Sequence, residues 1–424
     1  MISLTPVKVT DRPSLDKELL RIADICHGCR RCFTLCPSFE VLFKGLDVAE
    51  VDGDAEKLPK KVLDDFVDLC YECKLCVSPA QCPYVPPHRW MVDIPHLVLD
   101  ARRIRGVEGG IPLRERLLSQ PDRLGKLSRP VAPLANFVNS LPVARWAMEK
   151  SIGVHREKHL PTFVWETFTR WFEKRPRPRV ESPVAKVVLF PTCTVEWNRP
   201  EIGKAAVQVL EANGVEVAVD YPHCCGMPFF DVGDVEAAQK ARQGMVDALK
   251  GWVEKGYTVV TPGPSCSLMM KKEYPWLAPG DETTAKVAKA TRDLCEFLME
   301  LKGAGKLKTD FPKAPASVAY HLPCHLSVQR IRFKASDLLA LTGAKVTVVE
   351  KCSGHDGTWA MKTEYFEESM KVGRKLFDPL VAAKADVIAS DCALASVQIR
   401  QGTGQPVLHP IEVLRDAYGL PAQP

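Results

Sequence analysis

Two cysteine runs lie close together near the start of the chain: Cys26-His-Gly-Cys29-Arg-Arg-Cys32-Phe-Thr-Leu-Cys36-Pro37 and Cys70-Tyr-Glu-Cys73-Lys-Leu-Cys76-Val-Ser-Pro-Ala-Gln-Cys82-Pro83. Three cysteines at intervals of three let one tight loop reach successive corners of a [4Fe-4S] cubane, and a fourth cysteine followed by proline closes the ligand set from a distance. A structural zinc site needs only paired cysteines, not this triple. The chain carries the pattern twice, which argues for iron–sulfur electron carriage over two zinc knobs or eight buried thiols.

In two-cluster ferredoxins, which the paired runs resemble, the distant fourth cysteine ligates the other cluster. That resemblance assigns Cys26, Cys29, Cys32 and Cys82 to one cubane, and Cys70, Cys73, Cys76 and Cys36 to the second. The crossing ties both runs into one small domain. Five residues rather than three precede Cys82, which lengthens a loop without removing a ligand. Between Cys36 and Cys70 lie 33 residues, among them the helix-like stretch Glu56 to Leu69, so the module is expected to be mostly helical.

Arg30, Arg31 and Lys74 lie inside these loops. They are expected to raise cluster potentials, to steer an acidic partner, or simply to be solvated.

The elements that hold such sites must come from a chain of 424 residues, enough for two or three domains with separate cores. Sixteen cysteines could signal a disulfide framework, but residues 1–20 have no apolar signal core and carry scattered charges. A reducing, cytoplasmic setting with thiols reserved for metal is therefore expected. No run of eighteen apolar residues suggests a spanning helix, and peripheral attachment at the inner membrane face stays open.

The net charge of +5 is unevenly placed. Residues 101–180 hold 17 Lys plus Arg against 7 Asp plus Glu, a local +10 that leaves the remainder at −5. The segment also carries Trp146, Trp165 and Trp171, with Leu134, Phe137, Val138 and Leu141 at roughly helical spacing. A basic amphipathic region of this kind can lie on an anionic membrane surface. The alternative, favoured because amphipathic helices usually face a core, is a connector whose apolar stripe packs on neighbouring domains. No nucleic-acid reader motif accompanies the charge, so nucleic acid is not expected as a partner.

Pro83, Pro86 and Pro87 close the first module, and Pro176, Pro178 and Pro183 precede the next regular segment. From there the chain repeats itself. Val187-Val-Leu-Phe-Pro-Thr-Cys193, a helical stretch to Asn213-Gly214, strand Val215 to Val219 and Cys224-Cys225-Gly226 are matched by a second series. That series is Val318-Ala-Tyr-His-Leu-Pro-Cys324, a helical stretch to Thr342-Gly343, strand Val346 to Val349 and Cys352-Ser353-Gly354.

A third pair, Tyr257 to Cys266 and Ala385 to Cys392, follows in register. Short apolar strands alternating with helices predict a duplicated α/β unit with parallel sheets. The expected fold is α+β multidomain: a helical ferredoxin-type domain over 1–100, a basic amphipathic connector over 101–183, and α/β repeats over 184–308 and 309–424.

Ligands of open parallel sheets gather beyond the carboxyl ends of strands, where every cysteine of the repeats falls. The first repeat gathers Cys193, Cys224, Cys225 and Cys266, a set suited to an additional [4Fe-4S] cluster or a zinc ion. The second gathers only Cys324, Cys352 and Cys392, with His321, His325 or His355 nearby, and is read as an incomplete metal shell or a relic. Cys295 reads as a buried core residue.

Paired ferredoxin motifs followed by two such modules resemble the heterodisulfide-reductase-related (CCG-domain) iron–sulfur proteins, over essentially the whole chain apart from residues 101–180. In that family a complete module is a cysteine, then Cys-Cys-Gly, then Cys-x-x-Cys, whose five thiolates can hold a non-cubane cluster that cleaves disulfides. Here Gly263 takes the first position of the terminal pair in the first repeat. In the second, Ser353 replaces one cysteine of Cys-Cys-Gly, and Ala389 is read in place of the first of the pair.

Two intact five-thiolate centres are excluded. The resemblance implies an electron-transfer subunit with two [4Fe-4S] clusters, and a third in the first repeat. It would relay electrons between a flavin-bearing dehydrogenase and a quinone or another redox protein. The alternative is a heterodisulfide or persulfide reductase using a modified cluster in the first repeat. No Gly-x-Gly-x-x-Gly fingerprint follows a strand, so oxidation of an organic substrate by this chain alone is not expected.

Overall fold

The computed structural model describes residues 2–78, 81–176, 180–355 and 357–423. Pro79 and Ala80 of the second cysteine run, and Pro178 of the expected boundary, lie outside the described residues. The chain divides into two compact units, one comprising residues 1–116 and 228–235, the other 117–227 and 236–424. A boundary between the units falls between Arg116 and Leu117, within the stretch 101–183.

The first unit is helical. α1 (Arg12–Cys29), α2 (Pro37–Leu46), α3 (Lys60–Asp68) and α4 (Ile94–Gly109) surround a core that includes Leu15, Ile22, Phe39, Phe43, Phe66 and Val98. Each side chain of this type contributes about 1.5–3 kcal/mol when fully buried. The expected helix over 56–69 is split, because Pro59 cannot continue a helix and instead caps α3. Within α1, Arg21 is 1% exposed; its guanidinium binds Glu18 and donates to the carbonyls of Leu4 and Trp90, so the buried charge is fully engaged.

The second unit holds two four-stranded parallel sheets. β1 (Ala185–Leu189), β2 (Val215–Val219), β3 (Thr258–Thr261) and β4 (Thr291–Asp293) run in the order β2-β1-β3-β4. β5 (Ser317–His321), β6 (Lys345–Val349), β7 (Val387–Ser390) and β8 (Val407–Leu408) repeat it as β6-β5-β7-β8. β1 and β5 are central, which is why Val187, Val188 and Leu189, like Val318, Ala319 and Tyr320, are fully buried runs and not alternating ones. One core takes Val187, Leu189 and Val260 from the first sheet and Val318, Tyr320 and Ala389 from the second. Gly214 and Gly343, at φ of 73° and 88°, close the helices that precede β2 and β6.

The helices Ala132–Ser140 and Pro142–Ile152 depart from the expected core-facing connector. Leu134, Phe137, Val138, Leu141, Val143 and Trp146 are all exposed, and Ala132 and Arg145 are the buried members of these helices. Their spacing puts these groups on a stripe, but among the described residues no partner covers it. Trp171 does pack, beside Phe168 and Phe172 in the core, while Trp165 is exposed. Among the described residues no helix is long and apolar enough to cross a membrane.

Candidate metal centres

In the first unit the loop chemistry is local. α1 ends because Arg30 adopts a left-handed conformation (φ 54°) and its amide bonds back to the Cys26 carbonyl at 2.8 Å, leaving Cys26 and Cys29 on the last turn. Lys74, in the equivalent place of the second run, is likewise left-handed at φ 60°. Cys36 caps α2, ahead of Pro37. Cys26, Cys29, Cys32 and Cys82 line one partly open pocket, together with Cys76 of the second run and apolar groups such as Phe39 and Ile94. Burial pushes the Cys26 thiol far up, with Cys32, Cys82 and Cys29 adding to it. Burial also raises Cys32 and Cys82.

The second set behaves alike. Burial first, then Glu72 and Cys36, hold the Cys70 thiol well above its ordinary value; at Cys76 burial is joined by Cys70, Cys36 and Cys32. Cys73 lies on the same loop between Glu72 and Lys74, both left-handed. Cys82 thus lies with Cys26 and Cys32 of the first run, Cys36 lies with Cys70 and Cys76 of the second, and Cys76 also neighbours Cys32. Buried, mutually repelling thiols are poor as free acids and suited to soft metal, which fits an iron–sulfur cluster in each set.

The basic loop residues differ from one another. Arg30 binds Asp47 through two hydrogen bonds and lies over the Phe43 ring at 5.4 Å. Lys74 is not a solvated loop residue: it is 4% exposed, beside Glu72 and 4.8 Å from the Phe230 ring centre.

In the first repeat, Cys193 opens the helix Cys193–Trp197 after β1, Cys224 and Cys225 follow β2, and Cys266 follows β3. Because these strands are neighbours, the four sulfurs meet. Cys224 donates to Cys193 Sγ at 3.9 Å, and Cys225 to Cys266 Sγ at 3.4 Å. No disulfide joins any of the sixteen cysteines. The hydrogen bond with Cys224, then burial, pushes the Cys193 thiol well up. At Cys266 the hydrogen bond from Cys225 lowers the thiol pKa, but burial and the sulfurs of Cys193, Cys224 and Cys392 outweigh it. Cys392 belongs to the second repeat, so the two thiol sets adjoin. Ser265 Oγ lies 2.9 Å from His325 Nδ1, and Gln329 donates to the Pro264 carbonyl and to Ser267, joining the repeats at the same place.

Strand register corrects one reading of the second repeat. Leu189 pairs with Val260 in the first sheet and Tyr320 with Ala389 in the second, so Ala389 matches Val260 inside a strand and is not a lost ligand position. Gly263 and Cys392 then coincide, and each caps the helix that follows. Cys266 coincides with Ala395. The first repeat keeps the second cysteine of the terminal pair, and the second repeat keeps the first.

Sequence reasoning missed three polar groups. Asp122, from the helix Pro121–Ser128, accepts hydrogen bonds from the Cys224 amide at 2.6 Å, from Trp197 Nε1 at 2.9 Å and from the Tyr221 hydroxyl. Lys158 is 3% exposed, bound to Gln398 Oε1, and burial lowers its pKa to about 7. Its segment is pinned by Arg145, which donates to the carbonyls of His155, Arg156 and Lys158. Cys295 is buried as expected, yet its thiol donates to Asp391 Oδ1 at 3.2 Å, where Tyr320 also donates at 2.5 Å to Oδ2. Burial raises the Asp391 pKa to about 6. Proline ahead of Asp122 marks a helix start, but nothing local marks what the carboxylate meets.

Comparison with known proteins agrees with this geometry. Residues 18–83 match the 4Fe-4S dicluster domain, and residues 187–271 and 318–400 each match the cysteine-rich domain CCG. The chain is 30% identical over 311 residues to the C subunit of anaerobic glycerol-3-phosphate dehydrogenase from Escherichia coli (strain K12), covering 72% of this chain and 77% of that one. It is also 30% identical over 245 residues to lactate utilization protein A of Bacillus thuringiensis (strain Al Hakam), covering 54% of this chain and 98% of the relative. With a cluster-type fold in the first unit, paired CCG repeats in the second and this similarity across most of its length, the chain belongs to the CCG-domain iron–sulfur proteins related to the C subunit of anaerobic glycerol-3-phosphate dehydrogenase.

Proposed function

We propose that the chain is the electron-transfer subunit of an oxidoreductase complex, taking electrons from a flavin-bearing dehydrogenase and passing them to a quinone or another redox protein. The observation that carries this reading is the pair of crossed cysteine sets within one helical unit. Cys26, Cys29, Cys32 and Cys82 would hold one [4Fe-4S] cluster, and Cys36, Cys70, Cys73 and Cys76 a second. Cys193, Cys224, Cys225 and Cys266 would hold a third. Thiolate-bound clusters exchange single electrons at potentials set by hydrogen bonds, charge and burial.

The chain's own residues supply those settings. Phe39, Phe43 and Ile94 give the first set an apolar lining, Gln81 donates to Cys32 Sγ at 3.5 Å, and Lys74 puts a buried cation in the second loop. The relative named for glycerol-3-phosphate dehydrogenase supports a dehydrogenase as partner. The exposed apolar helices over 132–152, in a segment with excess positive charge, support attachment to an anionic membrane surface.

Anaerobic iron and sulfide analysis with dithionite reduction tests the reading. About twelve irons and reducible cubane-type resonances are expected, about eight belonging to the first unit. Protein loaded with iron but giving no reduced-cluster resonance would sink it.

A further inference from the structure

Strand pairing lays the two repeats over each other. With Val260 matched to Ala389, Thr261 falls on Ser390 and Pro262 on Asp391. Thr261 pairs with Asp293 in the first sheet and Ala389 with Leu408 in the second, so Asp293 falls on His409 and Cys295 on Ile411. The helix starts agree: Asp293 Oδ1 accepts the Cys295 amide at 3.0 Å, and His409 Nδ1 accepts the Ile411 amide at 3.1 Å. The duplication therefore builds one corner twice. One copy carries His409, Ile411 and Pro262, and the other Asp293, Cys295 and Asp391, so the fold itself does not demand two carboxyls and a thiol there.

Asp293 and Cys295 come from the first repeat, and Asp391 from the second. One donor atom of each lies within 4.8 Å of the other two, and Cys295 Sγ stands 3.2 Å from Asp391 Oδ1. The three are 2%, 1% and 1% exposed. Tyr320 holds Asp391 in place by donating to its other oxygen. Burial, then the neighbouring Asp391, keeps the Asp293 carboxyl well above the usual carboxylate range. Lys271, the cation that acts on Asp293, is itself bound to Glu296 at 2.8 Å. Buried carboxylates so close together are neutralised by a proton or coordinate a metal.

Two orphaned oxygens favour the metal. Asp293 Oδ2 and Thr261 Oγ1 have no hydrogen-bond partner among the described residues, and Thr261 is fully buried. Paired residues of a sheet present their side chains to the same face, so the Thr261 hydroxyl stands beside the Asp293 carboxyl. Buried oxygens left unsatisfied in a native protein call for a ligand.

We propose that Asp293, Cys295 and Asp391 form a structural zinc site that clasps the first repeat to the second, with Thr261 beside the fourth position. Zinc takes mixed oxygen and sulfur donors at about 2.0–2.3 Å, which sets tetrahedral ligands roughly 3.4–3.8 Å apart, close to the separations found here. Calcium and magnesium prefer all-oxygen shells of six or more ligands, which one thiol and two carboxyls do not supply. On binding, zinc takes the place of the Cys295 thiol proton that points at Asp391, and the proton leaves to solvent. With its ligands this deeply buried, the ion enters as the repeats fold together and is held until they come apart. None of the three belongs to the cysteine sets proposed for clusters, so the site is independent of the electron-transfer reading.

The full chain, produced with zinc in the medium and purified anaerobically, provides the test through zinc, iron and sulfide analysis and zinc-edge X-ray absorption. About one zinc per chain is expected, with one sulfur and otherwise oxygen in its shell, resistant to EDTA until the protein is denatured. Asp293→Asn keeps a helix-capping side chain, and Asp391→Asn keeps the shape that Tyr320 binds. Each should lose the zinc, as should Cys295→Ala, while iron and sulfide stay at the values of the unsubstituted protein.

Absence of zinc from the unsubstituted chain, a zinc shell made of sulfur alone, or undiminished zinc in Asp391→Asn would overturn the proposal. The first two outcomes need no variant to fold. Failure of the electron-transfer reading is separately visible, as an absent dithionite-reduced signal in the unsubstituted protein.

Discussion

The Cys224 amide donates to Asp122 at 2.6 Å, although the two residues are 102 positions apart. Trp197 and Tyr221 bind the same carboxylate, so one side chain fixes the Cys-Cys-Gly loop from outside the repeat. Asp122→Ala strands three donors at once and should cost about 1–3 kcal/mol in chemical denaturation. Asp122→Asn keeps the shape and removes a negative charge close to Cys193 and Cys224. The reduction potential of a first-repeat centre should therefore rise, on the order of 59 mV for a tenfold change in a one-electron couple. An unchanged potential in spectroelectrochemical titration would show that Asp122 acts on the loop alone.

The glycines of the two Cys-Cys-Gly positions rank differently. Gly354, at φ 68°, has no room for a Cβ, which would collide with the Ser369 carbonyl. Gly226, at φ 92°, would bring a Cβ to 2.9 Å from that of Ala241, a contact small shifts can relax. Gly354→Ala should cost about 3 kcal/mol or more, and Gly226→Ala less. Urea midpoints of the two variants check the order.

What is legible in the sequence is whatever chemistry spaces rigidly. The first-unit cysteines have to lie at intervals of three, and the match of residues 18–83 to a 4Fe-4S dicluster domain follows from that spacing. The duplicated strands announce themselves through buried runs such as Val187 to Leu189. Aligning cysteine with cysteine misplaces Cys392, because it takes an offset of 126 where the flanking strands keep an offset of 129. Loops absorb insertions and paired strands do not, so register outranks residue identity. Asp122 and Lys158 are invisible for another reason: their partners Cys224 and Gln398 lie 102 and 240 positions away, and only the fold brings them together.

Lys158 predicts a pH dependence. Burial lowers its folded-state pKa to about 7, against an unfolded value near 10.4. Between these values the unfolded chain binds a proton that the folded chain does not, so this group makes stability rise with pH from about 7 to about 10 and penalises the charged form below that window. Lys158→Met should remove the slope and be the more stable protein at pH 7, by roughly a few kcal/mol. The difference between the two denaturation curves across pH isolates the lysine from the many thiols. A constant difference would mean that the ammonium stays charged against Gln398.

The exposed helices over 132–152 give the last prediction. Phe137, Val143 and Trp146 are 59%, 78% and 50% exposed. Apolar groups of this size, in a segment of net +10, should bind vesicles containing phosphatidylserine and not neutral ones. Flotation should weaken as salt rises, because screening at 0.1 M already acts over about 10 Å. Phe137→Glu with Trp146→Glu removes two inserting rings and adds two repelled charges, and should lower partitioning at least about tenfold while leaving the buried repeats intact. Equal flotation with neutral vesicles would show adsorption through the rings without the charge. Absence of flotation at low salt would instead assign this face to a protein partner, since none of the described residues covers it.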